Sequence, residues 1–279
     1  SDLATEYTQS IEEGKDIEKY SALFKAASGL EDGEIKQKLA DIIFEIVLNA
    51  PTRADYRYNE PSDLETIKLV RPEDRPTLPK PDESALKDKI TGAWTGRVCG
   101  CQLGKPVECM RTENLIPLLR MTGNYPMTRY ILGADLTDEI CEKTSFRPNR
   151  SWLADKMPYA PSDDDTNYTV LAGVLIDKYG RAFTPWDVSR VWLDYQPKNA
   201  YCTAERVAFC NFVKGYNPPE SAIYKNPYRE WIGAQIRADY FGYINPGDPE
   251  TAADMAWRDA SISHIKNGIY GEMFAAAMI

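Results

Sequence analysis

Three consecutive aspartates, Asp163, Asp164 and Asp165, stand between a proline-marked loop and a segment with helical periodicity. Adjacent carboxylates repel one another, and each loses hydration at a cost unless positive charge compensates. A hard divalent cation such as Mg²⁺ is one compensator, because it takes oxygen ligands. The helix macrodipole is the other, since Asp is common at helix N-termini without any metal. The spacing alone leaves both interpretations open.

A loop carboxylate, Glu108, follows the turn Gly104-Lys105-Pro106. Such a carboxylate is usually solvated, but beside a metal-bound sugar it can act as a general acid or base. Before this turn, glycines recur at every fourth position, which would place them on one helix face and let another backbone approach. This pattern favours helix packing over phosphate binding, because no phosphate-loop motif is present. The four glycines are Gly92, Gly96, Gly100 and Gly104.

A third polar group lies near the end of the sequence, where Asp259 and Ser263 are one helical turn apart and could face a common site. His264 is the only histidine of the chain. A lone histidine is more often a hydrogen-bonded structural residue than a catalyst. A Ser-His-Asp triad is conceivable from composition, but no G-x-S-x-G elbow supports it.

The elements that must position these residues are predicted to be helices. Apolar spacing, caps and glycine or proline stops predict helices at 34–49, 83–101, 166–179, 185–195, 204–214, 248–264 and 268–279. In the first of these, Ile35, Leu39, Ile42, Ile43, Ile46 and Val47 should form one buried stripe. Strand signals are few and short. The sequence therefore predicts an all-α protein.

The domain boundary is placed near residue 82. Residues 51–83 contain six prolines among many charges, which is typical of a linker. We therefore expect an N-terminal helical extension with a Pro-rich linker at 1–82, and a main domain at 83–279. The role of 1–82 stays open between packing, oligomerisation and partner recognition. The last apolar segment ends without a stop signal, so we expect the chain to be cut inside its fold.

Composition excludes several classes of partner. The net charge of −9, without a cluster of Lys and Arg, disfavours nucleic acid, although a small phosphorylated ligand remains possible in an acidic protein. No apolar stretch reaches a membrane span and no leader is visible, so we expect a cytoplasmic protein without membrane contact. The six cysteines form no C-x-x-C pair, which argues against a zinc site of the usual spacing and favours free, buried thiols.

Three blocks of the sequence together resemble the ADP-ribosylglycohydrolase family, which includes the ADP-ribosyl-acceptor hydrolases and the dinitrogenase reductase-activating glycohydrolase. The likeness spans residues 85–279 or so and depends on the order and spacing of the blocks. The first is similar to the family's opening helix and G-D-x-x-G…E turn, the second to its T-D-D-T metal motif, and the third to its D-A-x-x-T-H helix. These blocks are residues 88–108, 163–168 and 259–268.

The resemblance implies an all-α bundle with two Mg²⁺ ions in a cleft, Mn²⁺ being an alternative ion. Asp164 and Asp165 match the paired metal-ligand aspartates, and Asp163, where the family more often has Thr, becomes a third ligand. Glu108 matches a flexible glutamate over the substrate ribose. Three further motif positions are expected to bind substrate. They are Gly104, Asp259 and His264.

The resemblance also shows departures. Cys101 replaces the common aspartate of the G-D turn, which together with Asp163 indicates a divergent branch whose substrate is open. The family's second ligand motif, D-x-D-T, would lie beyond Ile279, so a C-terminal fragment would be needed to complete the fold and both metal sites.

The resulting functional expectation is Mg²⁺-dependent hydrolysis of a glycosidic bond in an ADP-ribosyl or related ribosyl group, either free or linked to protein. Glu108 and Asp165 are the carboxylates expected to handle the proton, without a separate role assigned to each. Two alternatives stand beside it. One is a non-catalytic, binding or crystallin-like structural protein on the same fold. The other is a hydrolase of a different ribosyl substrate, such as a nucleoside.

Overall fold

The computed structural model describes residues 2–73, 78–79 and 82–279. In these ranges the chain forms α-helices joined by loops and 3₁₀ turns, with no strand and one isolated bridge between Lys15 and Thr52. This confirms the predicted all-α class. The helices are α1 (Leu3–Glu12), α2 (Ser21–Ser28), α3 (Glu34–Leu48), α4 (Leu64–Val70), α5 (Glu83–Gly104), α6 (Thr112–Met121), α7 (Asp138–Lys143), α8 (Asp164–Tyr179), α9 (Pro185–Tyr195), α10 (Thr203–Val213), α11 (Glu220–Ile223), α12 (Asp239–Tyr243), α13 (Pro249–Ala260) and α14 (Lys266–Met278).

Helix ends follow the local signals in the sequence. Thr184 and Asp187 form a capping box that starts α9 at the predicted residue. The Asp248 side chain accepts a 3.0 Å hydrogen bond from the Thr251 amide and so caps α13. Gly180, with φ +71°, ends α8, since glycine adopts this left-handed conformation without a steric penalty. One end was predicted wrongly, because α13 stops at Ala260 and not near residue 264.

The chain divides into two compact units: a larger unit of residues 1–80 and 168–279, and a smaller unit of residues 81–167. The larger unit has its main core in helices α8 to α14, where aromatic rings pack against aliphatic side chains. Trp192 and Tyr201 stack at the centre of this core, with ring centroids 4.7 Å apart. Both side chains are almost fully buried. Burying such large rings supplies much of the hydrophobic stabilisation of a core.

Helices α1, α2 and α3 enclose a second apolar cluster of the larger unit. Within α3 the buried residues are Ala40, Ile43 and Val47. The predicted stripe was too wide, because Ile35 and Ile42 are 78% and 55% exposed. Apolar periodicity identifies a face of a helix, but the neighbouring elements decide how much of that face is covered.

A buried ion pair connects this N-terminal segment to the rest of the larger unit. The Arg229 guanidinium donates to Glu6 at 2.9 Å and to Glu13 at 2.6 Å, and all three side chains are almost fully buried. The N-terminal helices therefore pack directly on residues of the family-like region. The predicted division of the chain at residue 82 stays a prediction.

Part of the predicted linker is ordered. Ile67 of α4 packs with Ala234, Ala260 and Ile269 in a small apolar cluster. The indole of Trp257 also donates a 2.8 Å hydrogen bond to the Ser62 carbonyl. The Pro-rich, charged composition of residues 51–83 therefore did not prevent Ile67 and Ser62 from packing against the rest of the larger unit. Two of the prolines on which the linker prediction depended, Pro76 and Pro81, lie outside the described residues.

The smaller unit contains α5, α6, α7 and intervening loops around an apolar cluster of Leu118, Ile131, Phe146 and Leu153. Helix α5 carries no buried residue along its 22 positions. A Cβ added at any of its glycines at positions 92, 96, 100 and 104 would meet no atom of the described residues within 4 Å. The predicted close approach of another backbone along this glycine face was therefore wrong.

Two further expectations concern the thiols and the membrane. None of the six cysteines is fully buried: Cys99, Cys109 and Cys202 are exposed, and the others are half-buried. The prediction of buried thiols was therefore wrong. Across the part of the chain that the structure describes, no helix has both the length and the apolar character that a membrane crossing needs.

Candidate functional site

The start of helix α8 organises the three aspartates. Asp163 precedes the helix, and its Oδ1 accepts a 3.2 Å hydrogen bond from the Asp165 amide. Asp163 therefore acts as a helix cap, as one of the two sequence interpretations proposed. Its side chain is only 10% exposed. Asp163 is thus largely shielded from solvent, whereas the Asp165 side chain is 36% exposed.

One face of helix α5 lies opposite these carboxylates. Arg97, Cys101 and Lys105 are four residues apart, so they share that face. The sulfur of Cys101 and one oxygen each of Asp163 and Asp165 lie within 4.8 Å of one another. Three potential metal-ligand atoms from two separate elements therefore converge at this point.

Two basic side chains, Arg97 of α5 and Lys105 directly after the end of α5, also reach the aspartates. The ammonium of Lys105 forms an ion pair with the Asp163 carboxylate and lies 4.7 Å from the centre of the Trp152 ring. The Arg97 guanidinium donates a 2.9 Å hydrogen bond to the Asp165 carbonyl, and its Nη2 is 3.7 Å from Asp165 Oδ1. Part of the negative charge is therefore compensated by the protein itself. Sequence reasoning missed both residues, although their spacing from Cys101 would have placed them on its face.

The electrostatics of the site follow from this crowding. Burial and the neighbouring charges of Asp163 and Asp165 raise the pKa of Asp164 to about 6. Burial acts in the same direction on Asp163, but the hydrogen bond and charge of Lys105 outweigh it and lower the Asp163 pKa. Burial and the same carboxylates raise the pKa of the Cys101 thiol to about 12. Additional positive charge at this point would lower the raised pKa values of Asp164 and Cys101.

The donor set fits a divalent cation. Asp163 and Asp165 offer carboxylate oxygens from a rigid helix start, and Asp164 lies within hydrogen-bond reach of Asp163. Carboxylate oxygens are the usual protein ligands of Mg²⁺ and Mn²⁺. Cys101 adds one sulfur, which the sequence analysis had noted only as a departure from a motif. Two of the three predicted aspartates, Asp163 and Asp165, thus converge with the unpredicted Cys101, whereas Asp164 is not part of this converging group; metal binding by the three aspartates stays a prediction.

Glu108 and Gly104 lie next to this cluster. Gly104 is the last residue of α5, and Glu108 follows a 3₁₀ turn formed by Lys105–Val107. Burial alone would lower the pKa of Lys105, but the hydrogen bond and charge of Asp163 raise it, and the charge of Glu108 adds to this rise. Glu108 and Lys105 are therefore electrostatic neighbours. Glu108 also lines a cavity of about 330 Å³ together with Arg111 and Arg147. The structure therefore brings Glu108 near the ion pair of Lys105 and Asp163.

Asp259 and Ser263 belong to the larger unit, where both contact Arg237. The Arg237 Nε donates to Asp259 at 2.5 Å, and Nη1 donates to the Ser263 hydroxyl at 3.1 Å. Both residues therefore contact the same buried guanidinium, although α13 ends before Ser263; that they face a common functional site stays a prediction. Glu205 accepts from the same guanidinium at 3.1 Å, and Glu272 lies 3.5 Å from it.

His264 is completely buried beside this group. Its Nδ1 is 2.8 Å from the Ser263 hydroxyl, and its Nε2 is 4.0 Å from a carboxylate oxygen of Glu205. Burial, with a smaller effect from Arg237, lowers the His264 pKa well below the usual range, so the ring is neutral. The sequence analysis favoured a hydrogen-bonded structural role for His264, and this fully buried, hydrogen-bonded position agrees with that role. Contact between its side chain and a substrate stays a prediction that would require this region to open.

A model of the ADP-ribosylglycohydrolase family matches residues 82–279, which is most of the chain. The match includes every residue that the sequence analysis selected as a candidate for catalysis, substrate contact or metal binding. No curated protein and no solved structure matches the chain at a significant level.

Proposed function

The chain belongs to the ADP-ribosylglycohydrolase family, and on that basis we propose that it is a divalent-cation-dependent hydrolase of a glycosidic bond in an ADP-ribosyl or related ribosyl group. One observation carries the proposal. Carboxylate oxygens of Asp163 and Asp165 converge within 4.8 Å, beside a third acid whose pKa is raised to about 6. Such crowding of acids is costly unless a cation relieves it.

Asp163, Asp164 and Asp165 would hold the cation, with Mg²⁺ or Mn²⁺ as the expected ion. A bound divalent cation supplies Lewis-acid polarisation of sugar hydroxyls and orients the sugar. Asp163 is well placed to be a ligand because the start of α8 fixes its backbone. The hydrogen bond that its carboxylate accepts from the Asp165 amide orients the carboxylate. The two-ion centre implied by the family resemblance is part of this proposal.

Glu108 and Asp165 would manage the proton of the attacking water. Glu108 is exposed and lines a cavity open to solvent, so it can accept a proton from water beside a bound sugar. Asp165 lies in the donor cluster itself. Hydrolysis at an anomeric carbon proceeds through an oxocarbenium-like transition state, for which one carboxylate acts as base and another can act as acid. Gly104 leaves open space at the end of α5, where a substrate would approach.

A phosphate-bearing substrate fits this site better than a free nucleoside. Arg111 and Arg147 line the same cavity as Glu108. Arg147 already donates to the Cys141 carbonyl at 2.7 Å, which orients its guanidinium, and guanidinium groups bind phosphate oxygens with good geometry. This supports an ADP-ribosyl substrate, whose diphosphate a nucleoside lacks.

A non-catalytic protein is the second candidate. The ion pair of Lys105 with Asp163 favours it, because a lysine that neutralises the acid can stabilise the fold without any metal. The two candidates differ in one measurable property. An enzyme requires that a cation replace or join Lys105 at Asp163, whereas a structural protein does not.

The test is a hydrolysis assay on ADP-ribosyl-arginine, ADP-ribosyl-serine and free nucleosides, with Mg²⁺ or Mn²⁺ and with a chelator. We expect cation-dependent release of ADP-ribose from at least one conjugate. The double variant Asp164→Ala/Asp165→Ala should lose this activity and cation binding by calorimetry, while Asp138→Ala in α7 should retain both. Unchanged cation affinity in the double variant, or absence of turnover on all substrates, would contradict the proposal.

A further inference from the structure

Cys101 occupies an unusual position for a thiol. Its side chain is half-buried, and its sulfur lies within 4.8 Å of carboxylate oxygens of both Asp163 and Asp165. The neighbouring cysteines Cys99 and Cys109 are exposed and do not belong to this group. Two carboxylates provide no apolar surface against which a thiol would pack. The Cys101 sulfur therefore forms, with the two carboxylate oxygens, a set of three potential metal-ligand atoms.

The charges around Cys101 are compatible with a sulfur ligand. Arg97 lies one helical turn before it and Lys105 one turn after it, and both are bound to the aspartates. With a thiolate and the ionised carboxylates of Asp163, Asp164 and Asp165 present, these two cations leave the group with a net charge of about −2, which one divalent cation would neutralise. A divalent cation would therefore enter a site of moderate charge.

The distances are also suitable. Sulfur and oxygen ligands of one tetrahedral zinc ion lie about 3.6 Å apart, as follows from zinc–ligand distances of about 2.3 and 2.1 Å. The observed separations of up to 4.8 Å exceed this value by only about 1 Å, a difference that small side-chain rotations can close.

Sulfur changes which ions the site prefers. Carboxylates alone suit hard ions such as Mg²⁺, which binds thiolates poorly. Softer thiolate ligands favour divalent transition-metal ions such as Zn²⁺ and Co²⁺. We propose that the Cys101 sulfur is a ligand of the cation held by Asp163 and Asp165, and that it makes the site select a transition-metal ion over Mg²⁺. This inference rests on the cation site of the proposed function and adds its metal preference.

Cobalt provides a direct probe of the sulfur. A cobalt–thiolate bond produces an intense near-ultraviolet charge-transfer band, which carboxylate ligands do not produce. Titration of the full chain with Co²⁺ should generate this band. Cys101→Ser should abolish it, whereas Cys99→Ser, two residues away on the same helix, should retain it. Circular dichroism of each variant checks that the helices are intact.

Calorimetry gives a second readout on a variant that restores an oxygen ligand. Cys101→Asp should weaken Zn²⁺ binding by about tenfold or more, in the range found when groups around a metal site are altered. The same substitution should strengthen Mg²⁺ binding, because the site then offers only hard oxygen donors. The ratio of the two affinities therefore shifts towards Mg²⁺, and this shift does not depend on catalytic activity.

The outcomes separate this inference from the proposed function. Cobalt binding without the charge-transfer band, or a band that survives in Cys101→Ser, overturns the role of the sulfur and leaves a metal-dependent hydrolase intact. A band that depends on Cys101, in a protein that hydrolyses none of the ribosyl substrates, supports the sulfur ligand and contradicts the hydrolase. Absence of any Co²⁺ or Zn²⁺ binding overturns the sulfur ligand directly.

Discussion

The Nε of Arg237 donates a 2.5 Å hydrogen bond to the carboxylate of Asp259, and neither side chain is more than 7% exposed. The same guanidinium reaches Glu205, Ser263 and, at a longer distance, Glu272. Its planar group also lies 4.9 Å from the centre of a tryptophan ring in the core. One arginine thus compensates a group of acids that come from α10, α13 and α14. The stability of the larger unit should depend on it.

Replacement of Arg237 by Met should therefore strongly destabilise the protein. The variant leaves Asp259 and Glu205 buried without their counter-ion, which typically costs about 3–5 kcal/mol. Urea unfolding gives the change in the free energy of unfolding. Arg71→Met is the matched control, because its ion pair with Glu250 is partly exposed and should contribute about 1 kcal/mol or less. Equal losses in the two variants would contradict a special role for Arg237.

Glu272 should make the free energy of unfolding fall as pH rises. Burial and the charge of Asp259 raise its pKa well above the usual range, and no N–H or O–H of the described residues donates to its oxygens. The folded protein therefore keeps a proton that the unfolded chain releases above its ordinary pKa of 4.5. The free energy of unfolding consequently decreases between that value and the raised native pKa.

Glu272→Gln should remove this dependence, because the amide cannot titrate and can donate to Asp259. The stability of the variant relative to the parent should increase as the pH rises above 4.5. Glu139→Gln is a useful control, since the hydrogen bond from Lys143 lowers the pKa of that exposed acid below 4.5, so any pH dependence that it causes lies below that value and its difference from the parent should be flat above it. A pH-independent difference between Glu272→Gln and the parent would show that Glu272 is ionised in the fold.

The sequence predicted those parts of the fold that depend on neighbouring residues. The start and end of α9, the cap at Asp248 and the stop at Gly180 are set by contacts within a few positions, so local patterns reveal them. The exposure of Ile42 could not be predicted in this way, because it depends on which distant element covers α3. Helix class and boundaries are therefore local properties, whereas burial is a property of the whole unit.

The same distinction applies to the candidate site. Repulsion among three adjacent aspartates is a local signal, and it predicted the acidic cluster. The contributions of Arg97, Cys101 and Lys105 depend on α5 meeting the start of α8, some 60 positions along the chain. Their spacing of four residues would have shown that they share a face, but not what that face contacts. Arg237, Glu205 and Glu272, which join the predicted Asp259 and Ser263, were missed for the same reason.

Two glycines should respond to alanine in opposite ways. A Cβ at Gly268 would lie 2.8 Å from the His264 ring and 3.0 Å from the Arg229 carbonyl, so Gly268→Ala should destabilise by about 1–3 kcal/mol. At Gly96 the added Cβ meets no described atom, and alanine is the better helix former by about 1 kcal/mol. Thermal unfolding should therefore move to lower temperature for Gly268→Ala and to higher temperature for Gly96→Ala. A destabilising Gly96→Ala would indicate that the glycine face is covered in solution.

Lys105 should compete with a metal ion for Asp163. Its ammonium is bound to the Asp163 carboxylate and is largely shielded from solvent, so a cation that binds this oxygen must displace it. Lys105→Met retains packing against Trp152 but removes the charge, and divalent-ion affinity measured by calorimetry should rise by about fivefold, equivalent to about 1 kcal/mol. Lys89→Met, at an exposed position of α5, should leave the affinity unchanged. A weaker affinity in Lys105→Met would show that the lysine holds Asp163 in position for the ion, because a side chain that only competes cannot strengthen binding.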